Sequence, residues 1–200
     1  MRRIDTDRWL CALPDIGVDP AELELIVLDL DGTLAELSVD WEAVRQTIAT
    51  FASRLAGEPV MFRSLTKGLF WVRERFGDAA WREALFLVEK AEVDAAVRAS
   101  LREDVIALVR TLSGPPLAVF TGNSRAAARI VGRATDLERA IRWIVSREDG
   151  FPPKPSPEGL LAILEWSGAD SGRVLFIGNS EEDRLAGRGA GVPTLIVGGE

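Results

Sequence analysis

The chain has 200 residues, of which 47% are hydrophobic, with 31 acidic and 24 basic side chains and a net charge of −7. That is enough apolar material for one domain, or for one domain carrying a sizeable insertion, and the acidic balance argues against nucleic acid or an anionic membrane as partner, because both ask for a basic footprint. With no histidine, Ser-His-Asp and Cys-His nucleophile pairs and histidine-based zinc sites are excluded, and the single cysteine, Cys11, makes neither an internal disulfide nor a thiolate cage.

In chain order, residues 1 to 20 carry Trp9, Leu10 and Leu13 ahead of Pro14 and predict a short helix packed on the body. Met1-Arg2-Arg3 is followed by Asp5 and Asp7 rather than by an apolar signal core, and no run reaches transmembrane length, so a cytoplasmic location with no membrane partner is expected. The unalternating run Leu23 to Leu28 predicts a strand at about 23 to 31, buried on both faces as in a parallel sheet. Helical spacing then runs through Val39, Trp41, Val44, Ile48, Phe51 and Leu55 until Gly57-Glu58-Pro59 breaks it. A second helix is expected over about 61 to 76, ended by Gly77-Asp78, and a third from Ala79 to Ser100.

From there the pattern alternates. Helices are expected at about 101 to 112, 124 to 134, 157 to 167 and 181 to 190, and strands at Leu117 to Thr121, Trp143 to Val145, Val174 to Ile177 and Thr194 to Val197. Right-handed crossovers wind such a series into an α/β fold, a doubly wound parallel sheet of Rossmann-like type, with a helical segment inserted after the first strand.

The first strand runs into Asp29-Leu30-Asp31-Gly32-Thr33-Leu34. Ligands of open α/β sheets bind beyond the carboxyl ends of the strands, where Asp29 and Asp31 arrive, and side chains two apart on an extended segment leave on the same side. Gly32 permits a sharp turn and close approach of a ligand. Three further segments stand beside later strands: Thr121-Gly122-Asn123-Ser124, Lys154-Pro155-Ser156-Pro157 and Gly178-Asn179-Ser180-Glu181-Glu182-Asp183. Taken singly, each also has an ordinary structural reading, as a turn with an N-cap, a surface lysine among prolines, or acids that complement a helix dipole. The expected topology brings Asp29, Thr121, Lys154 and Asp183 to one edge of the sheet. Gly187-Arg188-Gly189-Ala190-Gly191 precedes a strand where a dinucleotide loop follows one, and no P-loop occurs.

In this order the four segments resemble the motifs of the haloacid dehalogenase-like (HAD) superfamily of phosphohydrolases, over about Leu23 to Val197. The resemblance implies a core of residues 1–36 and 101–200 and an α-helical cap of residues 37–100, of the type found in phosphoglycolate phosphatases and β-phosphoglucomutases. It implies Asp29 as nucleophile and Asp31 as proton donor and base, with Thr121 and Lys154 completing the catalytic set. Gly32, Thr33, Gly122 and Asn123 would bind substrate, and Asp29, Asp31, Asn179 and Asp183 would hold Mg2+. The substrate implied is a small phosphorylated metabolite. Asn179 stands where the family's motif has aspartate, so the implied site has one negative charge fewer and is expected to bind Mg2+ more weakly. A phosphomutase and a HAD-like binding module with a decayed metal site remain alternatives. In the cap, Arg63, Ser64, Thr66 and Lys67 fall where polar groups would face a substrate.

Overall fold

A computed structural model describes residues 6–112 and 114–198. The first five residues of the expected N-terminal helix lie outside the described residues. Within them, α1 (Asp7–Ala12) is followed by two 3-10 turns, and Leu13 is fully buried where the segment meets the core.

The core is a five-stranded parallel sheet in the order β5 (Ile141–Val145), β4 (Leu117–Phe120), β1 (Leu25–Leu28), β6 (Val174–Gly178) and β7 (Thr194–Ile196). Strands β1, β4 and β6 are apolar at nearly every position because both faces are covered, and the pleat divides them between two layers. Ile26, Leu28, Val119, Leu175 and Ile177 pack on one face with α4 (Glu103–Thr111) and α5 (Arg125–Ala134). Leu25, Val27, Phe120, Val174 and Phe176 pack on the other with α6 (Glu158–Ser167) and α7 (Glu181–Ala190). The chain leaves β1 toward β4 and β5 and returns on the far side to β6, so the direction of winding switches beside β1. All five strands present their carboxyl ends to one edge, which is where such sheets bind ligands.

Between β1 and α4 lie α2 (Trp41–Ala56) and α3 (Leu65–Val97), joined through a turn whose Gly57 caps α2 in the left-handed region. Val44, Ile48, Phe51, Leu69, Val72, Trp81, Leu85 and Val88 make an apolar cluster of their own, whereas Ala95 and Ala96 belong to the cluster of the sheet. The helices expected over 61 to 76 and from 79 onward lie end to end within α3, and the expected break is at Gly77, whose φ is 81° and ψ −178°. A feature without a sequence signal is a two-stranded antiparallel ribbon, β2 (Ala35–Glu36) with β3 (Ser100–Leu101), which closes the insertion at its two ends. Each strand is too short for alternation to register. Among the described residues no helix is long and apolar enough to cross a membrane.

Gly77 adopts a backbone region that is essentially restricted to glycine, and a Cβ there would meet nothing within 4 Å. Gly77→Ala is therefore expected to lower stability by about 1–3 kcal/mol through backbone strain alone, read as a shift in urea midpoint at unchanged m-value. No shift would mean that the break in α3 moves at no cost.

Candidate active site

Asp29 follows β1 directly and is buried. Its Oδ1 accepts from Lys154 Nζ at 2.6 Å, and the same ammonium donates to Asp183 Oδ1 at 2.5 Å and to the Phe120 carbonyl at 3.3 Å. Lys154 reaches in from the loop after β5, with the rings of Phe120 and Phe176 about its head at 5.3 and 5.8 Å. Burial by itself lowers its pKa, but the two carboxylates more than offset this, and the net direction is upward, so the ammonium keeps its charge. For Asp29 burial dominates and raises the pKa, against the opposing pull of Lys154.

Asp183 is 1% exposed and sits in the first turn of α7. Its Oδ2 accepts from Asn179 N, Ser180 N and Ser180 Oγ, while Ser180 Oγ accepts in turn from Asp183 N, a reciprocal capping box. One carboxylate thus caps the helix with one oxygen and holds the ammonium with the other.

The turn after Asp29 is bound tightly. Gly32 has φ 79°, and a Cβ on it would stand 2.1 Å from Asn179 Nδ2, so both conformation and space call for glycine. Its carbonyl accepts from Arg102 Nη1, and Arg102 also reaches the Val197 carbonyl, Asp104 and Glu36. Thr33 Oγ1 lies 3.2 Å from Asp29 Oδ2 and 3.4 Å from Asn179 Oδ1, with one proton to give. Asp31 is partly exposed, and its Oδ1 accepts from Leu37 N at 2.8 Å. Burial raises its pKa, and that backbone hydrogen bond opposes the rise.

On the other side of Asp29, β4 delivers Thr121, whose hydroxyl donates to Asn123 Oδ1 and accepts from Asn123 N, both at 3.0 Å. Ser124 N-caps α5 through Ala127 N. The ordinary turn-and-cap reading of this segment therefore holds alongside its place at the carboxyl edge. Gly122 is exposed to the cleft.

The structure thus groups Asp29, Thr33, Asn179, Lys154 and Asp183 by direct contact, with Asp31, Thr121, Gly122 and Asn123 around them. For the Mg2+ expected from the sequence, the donors are hard oxygens. Asp29 Oδ2 and Asn179 Oδ1 both lie within reach of Thr33 Oγ1, and a carboxylate with an amide oxygen is chemically compatible with an ion that takes one or two carboxylates and keeps other positions for water and substrate oxygens. Asp183 has both oxygens engaged elsewhere, and Asp31 Oδ1 is turned to Leu37. Among the described residues no three Asp, Glu, His or Cys side chains converge as a metal cage.

Two cavities flank this edge and share Thr66, Gly122 and Arg147 as walls. One is lined by Phe70, Trp81, Phe120 and Phe151 and reaches Lys154, and the other reaches Asp31, Trp41 and Arg45. Of the insertion residues singled out in the sequence, Thr66 reaches these walls, Ser64 caps α3, and Arg63 and Lys67 are exposed away from the cavity linings. Sequence reasoning missed Arg102, Arg147 and Glu92. Glu92 had a signal: it occupies the buried register of α3 between Val88 and Ala96, where an acid needs a partner.

The haloacid dehalogenase-like hydrolase family model matches residues 23–191. Phosphoglycolate phosphatase 1 of Pseudomonas aeruginosa is 28% identical over 184 residues, which cover 84% of this chain and 66% of that protein. N-acetylmuramic acid 6-phosphate phosphatase of Pseudomonas putida is 28% identical over 188 residues, covering 88% and 82%. Among solved structures, a CbbY variant from Rhodobacter sphaeroides in complex with xylulose-(1,5)-bisphosphate superposes with a TM-score of 0.62 at 22% identity, covering 89% of this chain and 87% of that one.

Because Asp183 holds both the α7 cap and the buried ammonium, Asp183→Ala is expected to cost about 3–5 kcal/mol, as when one member of a buried ion pair is removed. Chemical denaturation measures it, and a loss below about 1 kcal/mol, the scale of an exposed pair, would mean that Lys154 is held without Asp183.

Proposed function

The chain belongs to the haloacid dehalogenase-like hydrolase family and is a phosphoric monoester hydrolase, and we propose that it dephosphorylates a small phosphorylated metabolite through a phospho-Asp29 intermediate with Mg2+ as cofactor. The observation that carries this reading is the buried Lys154 ammonium held between Asp29 and Asp183 at the carboxyl edge of the sheet. The three groups together carry one negative charge. A phosphate monoester adds more, and phosphoryl transfer needs positive charge spread over its non-bridging oxygens.

In this reading Lys154 binds a phosphoryl oxygen and orients Asp29, while the Gly122 backbone and Thr121 bind others. Asp29 forms the new bond to phosphorus as the bond to the leaving oxygen breaks. Asp31 delivers a proton to that oxygen, then takes one from the water that hydrolyses the aspartyl phosphate. Bound Mg2+ would neutralise phosphoryl charge, with Asp29 and Asn179 as the residues to hold it. Asp183 acts by positioning Lys154. Residues 37–100 serve as a cap over the cleft and 1–36 with 101–200 as the core, in a cytoplasmic enzyme, with the β2–β3 ribbon as the joint between cap and core. The same residues would serve a phosphomutase, so the deciding product is free phosphate rather than an isomerised monoester.

A phosphate-release screen with Mg2+ over sugar phosphates, phosphoglycolate and nucleotides tests the activity. On any substrate found, Asp29→Asn should lose more than the roughly 10²- to 10⁴-fold of a missing acid–base group, whereas Asp31→Asn should fall within that range with substrate binding retained. Near-parental turnover by Asp29→Asn would remove it as nucleophile.

Asn179→Asp would place a second carboxylate beside Asp29. The Mg2+ concentration for half-maximal activity is then expected to fall by roughly tenfold, about 1.4 kcal/mol of added attraction. Overlapping magnesium titrations of parent and variant would show that position 179 does not touch the ion.

A further inference from the structure

Glu92 of α3 is fully buried and has no part in the reaction described above. Its Oε1 accepts from Arg147 Nη2 at 2.7 Å and Asn123 Nδ2 at 3.2 Å, and its Oε2 accepts from Ser124 N at 2.9 Å. An isolated carboxylate in that place would be costly, and a guanidinium with two further donors satisfies it. All three partners belong to core loops after β4 and β5, so a side chain of the insertion braces the Thr121–Ser124 turn and aims Arg147. The Arg147 backbone N–H also donates to the Asn123 carbonyl, which ties the two loops together.

Arg147 is left with donors to spare. Its Nη2 goes to Glu92, and its Nε and Nη1 make no hydrogen bond to the described residues. The side chain is 19% exposed and forms part of the wall shared by the two cavities beside Gly122. The cavity that reaches Asp31, the proton donor to the leaving oxygen, is also lined by Arg45 of α2. Among the described residues Arg45 pairs only with Glu42, at the surface, a contact that costs little to loosen. The leaving-group side of the cleft therefore presents two guanidinium groups, one of them fixed by a buried carboxylate, in addition to the ammonium at the phosphoryl position. A guanidinium with a planar fork of free N–H groups matches carboxylate and phosphoryl oxygens.

We infer that Arg147 is a substrate-binding residue aimed by Glu92 as its positioning residue, and that the leaving group it receives carries a second anionic group, a carboxylate or phosphoryl. This rests on the phosphatase reading and adds to it the class of leaving group and the residues that select it.

The test compares phosphomonoesters matched in size, a carboxylate-bearing alcohol phosphate against its carboxamide. The parent is expected to favour the carboxylate in kcat/KM by about 10- to 100-fold, the range of a charge-assisted hydrogen bond, with the preference shrinking as salt rises. Arg147→Lys keeps Glu92 paired and should cut the preference about tenfold or more through KM, so that kcat/KM falls further for the carboxylate than for the carboxamide. Glu92→Gln should likewise raise KM for the carboxylate substrate more than for the carboxamide. A merely structural role would lower both substrates alike. Equal kcat/KM for the pair on the parent overturns the inference while phosphate release upholds the phosphatase reading, and equal losses on both substrates in Arg147→Lys overturn it as well. Absence of phosphate release from every monoester overturns both.

Discussion

Lys154 stands buried between Asp29 and Asp183, and much of the local sequence is arranged around that one ammonium. Two acids packed this closely without a cation would repel each other in a site largely closed to water, and an unpaired ammonium would shed its proton. Together they make a buried ion-paired trio, and the geometry follows from the sheet: Asp29 from the end of β1, Asp183 from the helix after β6, and Lys154 from the loop after β5. Each arrives at the carboxyl edge because every strand runs the same way. The trio retains one net negative charge, so a phosphoryl group entering beside it requires further positive charge, and this electrostatic need links the fold to the chemistry proposed for it.

Groups with a plain structural task recur in this site. Ser124 caps α5 while its neighbours Thr121 and Gly122 line the cleft, and Asp183 caps α7 while holding Lys154. Such double duty is economical because helix N-termini gather backbone N–H groups and positive dipole ends at the carboxyl edge, which stabilise acids within the protein and phosphoryl oxygens of a ligand alike. An ordinary cap and a functional residue are therefore not competing descriptions of one side chain.

The insertion is bound to the core by more than its two chain crossings. Ala95 and Ala96 share the apolar cluster of the sheet, the β2–β3 ribbon pairs the two crossings, and Glu92 spans from α3 to the turn beside Thr121. Any displacement of α3 relative to the core has to break or carry with it the hydrogen bonds of a buried carboxylate, so the state of the insertion and the shape of that turn are energetically coupled.

Much of the architecture was legible in the sequence because its signals are local. Apolar runs without alternation identify β1, β4 and β6, Gly57 and Gly77 punctuate the insertion, and Asp29, Lys154 and Asp183 stand beside strands whose order implies a common edge. What the sequence left open depends on partners distant along the chain. That Asp183 turns to Lys154 and its own helix terminus, and Asp31 to Leu37, is a matter of which hydrogen bonds compete in three dimensions, and residue type cannot rank them. Glu92, Arg147 and Arg102 meet the site across 31 to 95 residues of chain. Glu92 alone left a trace, as an acid in the buried register of a helix, whereas the two arginines look like any solvated cation until the tertiary structure shows what they touch. Local patterning carries the parallel sheet and the acids and lysine gathered at its edge; where each carboxylate points and which cations face the cleft depend on how the insertion packs against the core, because buried charges take their orientation from neighbours that folding brings together.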